Sequence, residues 1–329
     1  MAQHCEKWGL TTLSQGAQNS PQKHTKSRRR VDRAVCPHFS PQWALLLLAL
    51  LIPLAPAQNF ADMRVEKIAF GLQFTEGPVW SRDGFLLFSD CIANKLHKFV
   101  PGVGGSDYAE IPGGPNGNTY DLQGRLYTCE FHSRRVTRTS KKGVVEVLAS
   151  KFEGKRLNAP NDIVVRRDGH IYFTDPAFGD QQDHRELDFF GVFHITPKGD
   201  LEALARWKTR PNGITLSPNG KILYVADSDA RLIRAYDLDK SGAATNERVV
   251  IANIQGVPDG IRTDEKGNLY VAAKFVYAYS EDAKLIGTIE LGDTPSNLTF
   301  GDGDLEGLYI TARAFVYHVR LGVKGALQY

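Results

Sequence analysis

The chain has 329 residues, of which 42% are apolar and 23% charged, and its formal net charge is +3. This composition excludes a wholly disordered chain, which would have few apolar residues and a large net charge. Residues 1–57 carry a net charge of +5 and the remaining residues a net charge of −2. The globular part therefore gives no general reason to expect nucleic acid or an anionic membrane as a partner.

An apolar run follows the basic N-terminal stretch. Residues 43–54 read WALLLLALLIPL, which is short for a membrane span, and Ala55-Pro56-Ala57 is a small-x-small sequence suited to signal peptidase. This order is typical of a secretory signal peptide, with an uncleaved anchor as the alternative. We expect residues 1–57 to be a basic leader and signal peptide, and the mature chain 58–329 to be periplasmic or secreted with no stable membrane span.

Two of the four cysteines, Cys91 and Cys129, belong to this mature chain, while Cys5 and Cys36 belong to the leader. Export would make a disulfide chemically possible, and two buried free thiols are the alternative. The sequence leaves this choice open because it does not give the distance between the two residues. No CxxC motif or Cys/His cluster is present, so a structural zinc site is not expected.

The mature chain repeats one phrase six times, a polar turn with a glycine followed by a short strand of apolar and aromatic residues. The copies are SRDGFLLFSD (81–90), DLQGRLYTCE (121–130), RRDGHIYFTD (166–175), SPNGKILYVAD (217–227), DEKGNLYVAA (264–273) and GDLEGLYITA (303–312). The predicted turn glycines are 40 to 51 residues apart, at Gly84, Gly124, Gly169, Gly220, Gly267 and Gly307. Glycine in a polar turn before alternating apolar residues is a hairpin signal.

A period of this length with several strands per unit predicts the blades of a β-propeller. Further strand-like runs at 190–198 and 231–239 lie between the copies, and helical periodicity is nearly absent from the mature chain. We therefore predict an all-β, six-bladed β-propeller with a central metal channel, formed by residues 58–329 as a single domain. The run 65–70 is placed to close the ring. A β-sandwich, the alternative, would not repeat one phrase six times.

A polar residue lies eight positions before each of the first five glycines, and a two-residue insertion brings the sixth copy into register. We call these six positions the slot: Glu76, Asn116, Asn161, Asn212, Asp259 and Asn297. Equivalent repeat positions lie at equivalent places around a propeller, so inner-strand slot residues would converge at one mouth of the channel. Asn and Asp before glycine are also common turn formers, which is the structural alternative.

Oxygen ligands from Glu, Asp and Asn suit a hard cation, and the two slot carboxylates match the charge of a divalent ion. The slot contains no His or Cys, which argues against zinc or copper. Mg²⁺ demands tighter octahedral geometry, so we expect Ca²⁺ as the cofactor. His132 follows the second repeat strand and is a candidate for substrate contact, with an ordinary loop histidine as the alternative.

The phrases TEGPVW, APNDIVVRRDGHIYFTDPAFG, RPNGITLSPNGKILYVADS and VPDGIRTDEKGNLYVA together resemble the SMP-30/gluconolactonase/LRE group, over about residues 64–320. The resemblance implies a six-bladed propeller that binds a divalent metal in its channel and hydrolyses lactones or, in some branches, phosphorus esters. It also implies that four slot residues are metal ligands: Glu76, Asn161, Asn212 and Asp259.

The same resemblance implies that Asn116 and Glu186 contact the substrate. Some members have an arginine two residues before the Asn116 position, where this chain has Gly114. This departure weakens any transfer of the substrate preference of regucalcin to this chain.

The expected chemistry is calcium-dependent opening of a sugar lactone or a similar small ester, with a small-molecule lactone as the expected partner and no nucleic acid. The cation would polarise the carbonyl, and Asp259 is the first candidate to take a proton from the attacking water, with Glu76 as the second. A phosphotriesterase-like hydrolase on the same site, a non-catalytic ligand-binding propeller and a strictosidine synthase-like propeller are the alternatives. No G-x-S-x-G elbow or readable nucleophile triad is present.

Overall fold

Six four-stranded antiparallel sheets make up most of the regular structure of residues 60 and 63–327, which a computed structural model of the chain describes. β1 spans Val65–Ala69. Blade 1 contains β2 (Thr75–Ser81), β3 (Phe85–Asp90), β4 (Lys95–Val100) and β5 (Gly104–Glu110). Blade 2 contains β6 (Pro115–Tyr120), β7 (Leu126–Glu130), β8 (Arg135–Thr139) and β9 (Val145–Ala149).

A short hairpin, β10 (Lys151–Phe152) and β11 (Lys155–Arg156), precedes blade 3. Blade 3 contains β12 (Ile163–Val165), β13 (Ile171–Asp175), β14 (Phe190–Ile195) and β15 (Leu201–Trp207), with a 3₁₀ helix at Gly179–His184 between β13 and β14. Blade 4 contains β16 (Pro211–Leu216), β17 (Ile222–Asp227), β18 (Leu232–Leu238) and β19 (Ala244–Ile251). Blade 5 contains β20 (Ile261–Thr263), β21 (Leu269–Ala272), β22 (Val276–Tyr279) and β23 (Leu285–Ile289). Blade 6 contains β24 (Asn297–Gly301), β25 (Gly307–Ala312), β26 (Phe315–Arg320) and β1.

The ring is closed by β1, which completes blade 6 as its outermost strand. It pairs antiparallel with β26, with Val65 opposite Val319 and Glu66 opposite His318. One sheet thus joins the two ends of the propeller, so the ends of the ring cannot separate without breaking a ladder of backbone hydrogen bonds. The prediction of six blades closed by the run 65–70 is confirmed, with the strand ending at Ala69.

Five of the six predicted turn glycines close β-turns at the base of their blades. Each donates its N–H to the carbonyl three residues earlier and has a positive φ, as for Gly84 with Ser81 at 3.0 Å and φ 81°. A positive φ costs glycine nothing, whereas a side chain there would be strained. The other four are Gly124, Gly169, Gly220 and Gly267.

The sixth prediction, a turn at Gly307, is wrong. The two-residue insertion moves this turn to the segment 302–305, where Leu305 N–H donates to the Asp302 carbonyl at 3.2 Å and both residues have positive φ. Gly307 instead begins β25 opposite Gly301. It is small because a Cβ there would overlap the Asp302 carboxylate.

The hydrophobic core lies between the blades. One cluster of buried side chains joins Val164, Tyr172 and Val192 of blade 3 to Ile214 and Val225 of blade 4. Each sheet therefore buries apolar side chains against its neighbours, and the ring is held together mainly by the hydrophobic effect.

The innermost strands of the blades touch one another around a closed ring, in the order β2, β6, β12, β16, β20, β24 and back to β2. Each of these strands runs from its slot residue towards the turn at the base of its blade. The slot residues therefore lie at one face of the channel and the hairpin turns at the other.

Several expectations concern residues outside those described, namely the leader, the signal peptide at 43–57 and its cysteines. Within the described part of the chain, no helix is long and apolar enough to cross a membrane. Cys91 and Cys129, whose pairing the sequence left open, are both free and buried.

Candidate active site

The slot residues lie where the inner strands begin. Glu76, Asn116, Asn212 and Asn297 are the first or second residues of β2, β6, β16 and β24, and Asn161 and Asp259 precede β12 and β20 by two residues. The repeat register therefore places six equivalent polar residues at the same level of the ring, as predicted.

Glycines directly after the slot let the inner strands approach one another. Gly117 donates its N–H to the Asn161 carbonyl at 2.7 Å, and Gly213 donates to the Asp259 carbonyl at 3.1 Å. A Cβ at either glycine would overlap the neighbouring blade's backbone. Neither glycine has a positive φ. Glycine is therefore required at these two positions because the neighbouring strands lie so close, and not because the chain forms a turn there.

Hydroxyl groups from the second strands fix the slot backbone. Ser89 Oγ donates to the Asn116 carbonyl at 2.6 Å and Thr174 Oγ1 to the Asn212 carbonyl at 2.6 Å. Ser228 Oγ donates to the Pro258 carbonyl at 2.7 Å and accepts from Asn212 Nδ2 at 3.1 Å. These serines have structural partners, which agrees with the absence of a nucleophile triad.

Acidic residues at the ends of the second strands hold the segments that lead into the slot. Asp90 accepts hydrogen bonds from the backbone N–H groups of Gln73 and Phe74, at 2.9 and 3.0 Å. Asp175 does the same for Asn158 and Ala159, at 2.7 and 2.8 Å. Hydrogen bonds of this kind from the backbone to a side chain hold the segments that precede the slot residues in place.

Two carboxylates with raised pKa values are the main electrostatic feature of the slot. Burial, with a smaller contribution from Asp162, raises the pKa of Glu76 to about 7, although Gly77 N–H and the Asn297 amide donate to it at 3.0 and 3.2 Å. Burial and the nearby charges of Glu76 and Asp162 raise the pKa of Asp259 well above its usual range. Mutual repulsion in a desolvated site favours a bound cation.

Amide oxygens without partners accompany these carboxylates. The Oδ1 atoms of Asn116 and Asn212 are both buried and accept no hydrogen bond. Buried polar atoms are normally satisfied, so these oxygens are available to a ligand. Within residues 60 and 63–327, no three His, Cys, Asp or Glu side chains form a metal-binding cluster. Amide oxygens would therefore have to complete any ligand set, and the residues present fit a hard divalent cation.

An ion pair deeper in the channel was not predicted from the sequence. Asp162 is fully buried, and its Oδ2 accepts from Arg262 at 3.2 Å and from Ile214 N–H at 3.2 Å. Asp162 occupies the position after the slot, where four of the other five repeats have glycine, and this break in the pattern was the available signal. Because Arg262 is already paired with Asp162, its positive charge only partly offsets the negative charge of the slot carboxylates.

The family model described as the SMP-30/gluconolactonase/LRE-like region matches residues 74–314. The chain belongs to this family. The gluconolactonase of Zymomonas mobilis is 34% identical over 292 residues, which cover 78% of this chain and 81% of that protein. The pentonolactonase of Haloferax volcanii is 25% identical over 253 residues, covering 72% and 80%. The solved structure of a Xanthomonas campestris gluconolactonase is 31% identical with a TM-score of 0.75, covering 80% of this chain and 91% of that one.

In this member of the SMP-30/gluconolactonase/LRE-like family, His132 is one of the predicted substrate contacts. His132 is exposed on the loop after β7, and its ring packs against Phe131 with centroids 4.0 Å apart. It lies directly beside Gly114. Its role as a substrate contact stays a prediction.

Glu186 is exposed on the loop after the 3₁₀ helix. Its carboxylate accepts from Arg156 N–H at 2.8 Å and lies 3.6 Å from the Arg134 guanidinium. These contacts bind the carboxylate to neighbouring loops on the slot face. Its predicted contact with substrate is not tested by this geometry and stays a prediction.

Proposed function

We propose that this protein is a lactonase that opens a sugar lactone or a related small cyclic ester at the slot. One observation carries the proposal: Glu76 and Asp259 interact electrostatically in a desolvated site, and the Oδ1 atoms of Asn116 and Asn212, two residues of the same slot, are buried without a hydrogen-bond partner. The similarity to a gluconolactonase over most of both chains supports the same reaction class. Burying carboxylates and unpartnered amide oxygens costs free energy, and a propeller that only bound a partner would have no need of such a cluster.

Four slot residues would hold a divalent cation, for which Ca²⁺ is our proposal: Glu76, Asn161, Asn212 and Asp259. Their oxygens are the hard donors that Ca²⁺ prefers. When bound, such a cation supplies Lewis-acid polarisation of the lactone carbonyl and stabilises the negative charge that develops there.

The two carboxylates differ in what they can do for the reaction. Glu76 is buried and accepts hydrogen bonds from Gly77 N–H and Asn297 Nδ2. Asp259 is less completely buried than Glu76, which favours it for contact with the attacking water. We assign Asp259 as the base that takes a proton from the attacking water, and Glu76 as an anionic ligand.

Overall, the hydroxyl group of water becomes bonded to the acyl carbon while the bond from that carbon to the ring oxygen breaks. The leaving alkoxide receives a proton, which gives a hydroxy acid. Asn116, another slot residue, has a buried amide oxygen without a hydrogen-bond partner. We propose that this oxygen orients the substrate by accepting a hydrogen bond from one of the substrate's hydroxyl groups.

The test is hydrolysis of glucono-1,5-lactone by the purified protein, with EDTA and then with added Ca²⁺. We expect activity that EDTA removes and Ca²⁺ restores. Asp259→Asn should lower kcat by about 10²- to 10⁴-fold, whereas the control Asp107→Asn, at an exposed position of blade 1, should not. Full activity in Asp259→Asn would contradict the assigned base. Hydrolysis of phosphorus esters alone would favour the phosphotriesterase alternative.

We further propose that the chain is exported, on the basic stretch, apolar run and Ala55-Pro56-Ala57 of its N-terminal segment. N-terminal sequencing of the protein from cell fractions tests this. A mature protein that begins at Gln58 outside the cytoplasm supports the proposal, and an intact leader in the cytoplasm contradicts it.

A further inference from the structure

A second ring of residues lies at the mouth of the channel, outside the slot. The inner strands run inward from the slot, so the residues two positions earlier lie on its outer side, at most about 7 Å from it between Cα atoms. We call this set the upper ring: Phe74, Gly114, Ala159, Arg210, Val257 and Pro295. Five of its six members cannot ionise, in contrast to the polar slot beneath.

Part of the upper ring is apolar and open to solvent. Phe74, two residues before Glu76, is 37% exposed, and Val257, two residues before Asp259, is 53% exposed. Ile92 adds to this surface with 60% exposure, and the backbone bond from Cys91 N–H to the Phe74 carbonyl at 2.8 Å places it beside Phe74. Phe74 and Ile92 thus form a joint apolar surface, and exposed apolar surface at the mouth of a polar site offers a contact for an apolar ligand group.

The blade 2 position of the upper ring has no room for a side chain. Gly114 has a φ of 72°, and a Cβ there would lie 2.5 Å from the His132 ring and 2.8 Å from the Phe131 ring. The place that an arginine takes in some members of the family is therefore occupied by the rings of Phe131 and His132, whose planes are tilted by 37°.

The one cation of the upper ring is already paired. Arg210 Nε lies 3.1 Å from both carboxylate oxygens of Asp229, and its guanidinium lies 4.7 Å from the centre of the Phe178 ring. Since Arg210 already binds the Asp229 carboxylate and the face of the Phe178 ring, it would attract an anionic group on a substrate only weakly.

From this arrangement we infer that the site prefers lactones that carry an apolar substituent, which packs against Phe74, Ile92 and Val257 while the lactone ring enters the slot. The inference rests on the proposed lactonase activity and names its substrate class. Each methylene group that leaves water for such a surface is worth roughly fourfold in kcat/KM. A pentyl substituent that makes only part of this contact gains at least about tenfold.

The test compares δ-valerolactone, which has no substituent, with δ-decalactone, which has the same ring and a pentyl chain. We expect kcat/KM to be at least about tenfold higher for δ-decalactone. In Phe74→Asn and Val257→Asn the ratio of the two values should fall at least about fivefold. Val147→Asn is the matched control, because Val147 is 48% exposed on the outermost strand of blade 2, and there the ratio should not change.

Two results would overturn the inference. One is an equal or lower kcat/KM for δ-decalactone than for δ-valerolactone in the unmodified protein. The other is an unchanged ratio in Val257→Asn, whose half-exposed side chain can be replaced with little risk to folding. Activity on glucono-1,5-lactone without the pentyl preference would refute only this inference, whereas no activity on any of the three lactones would refute the lactonase proposal itself.

Discussion

A single methyl group at Gly213 should both destabilise the propeller and disturb its site. In Gly213→Ala the new Cβ would overlap the Asp259 carbonyl and lie 2.7 Å from Gly260 Cα, so blades 4 and 5 would have to part. Overpacking of this kind costs about 1–3 kcal/mol, and loss of the 3.1 Å bond from Gly213 N–H to Asp259 adds about 1 kcal/mol.

The sum, about 2–4 kcal/mol, should lower the Tm by roughly 5–15 °C in a domain of this size. The assay is thermal unfolding followed by circular dichroism, with lactone hydrolysis measured on the same samples below the transition. Activity should fall as well, since the displaced backbone belongs to Asp259.

Gly303→Ala is the matched control. Gly303 has no positive φ, and a Cβ there would meet no heavy atom within 4 Å. The Tm of the Gly303→Ala variant should therefore stay within about 2 °C of that of the unmodified protein. If Gly213→Ala melted at the same temperature as this control, the argument that glycine permits close strand contact would be refuted.

Three other predictions concern charge, pH and metal. Arg262→Ala would leave Asp162 buried without its cation and should destabilise the protein by about 3–5 kcal/mol in denaturant unfolding, with partial recovery when Asp162→Asn is added. His170 Nδ1 and His194 Nε2 lie 2.7 Å apart, and burial lowers the pKa of both. The unfolded chain therefore binds more protons near pH 6, so stability should be intact above about pH 6.5 and fall below it, by at most about 1.4 kcal/mol per pH unit for each histidine. Unfolding at pH 7.5 and 5.5 measures this loss, which should shrink in His170→Asn; the charged neighbours of the pair are Arg166, Asp168, Glu202 and Asp239. Ca²⁺ at about 100 times its Kd should stabilise the EDTA-treated protein by about 2.7 kcal/mol in a thermal shift assay, and an equal shift in Asn212→Ala would contradict its assignment as a ligand.

The blade count and the slot register were predictable because they are local and repeated. A turn glycine and a polar residue eight positions earlier fall within one short phrase, and five copies of that phrase form the turn in the same way. The sixth failed at Gly307, because the insertion moved the turn to 302–305 and two residues other than glycine adopted a positive φ there.

The partners of the slot residues were less predictable, since they come from other blades. The Asp162–Arg262 pair joins positions 100 residues apart, and although Asp162 breaks the glycine pattern, the sequence does not show which cation pairs with it. The glycines after the slot suggested turns by their sequence, but their function in the fold is to let neighbouring strands meet.

The sequence by itself determined the number of blades, the strand that closes them and the polar character of one position in each. Local turn chemistry and period-two apolar patterns carry that information within each repeat. Only the tertiary structure decided that Asn297 donates to Glu76 across 221 residues, that Glu76 and Asp259 share one desolvated space, and that Phe74 and Val257 remain exposed above them. These features depend on how six sheets pack around one axis, and the sequence of any single repeat does not determine that packing.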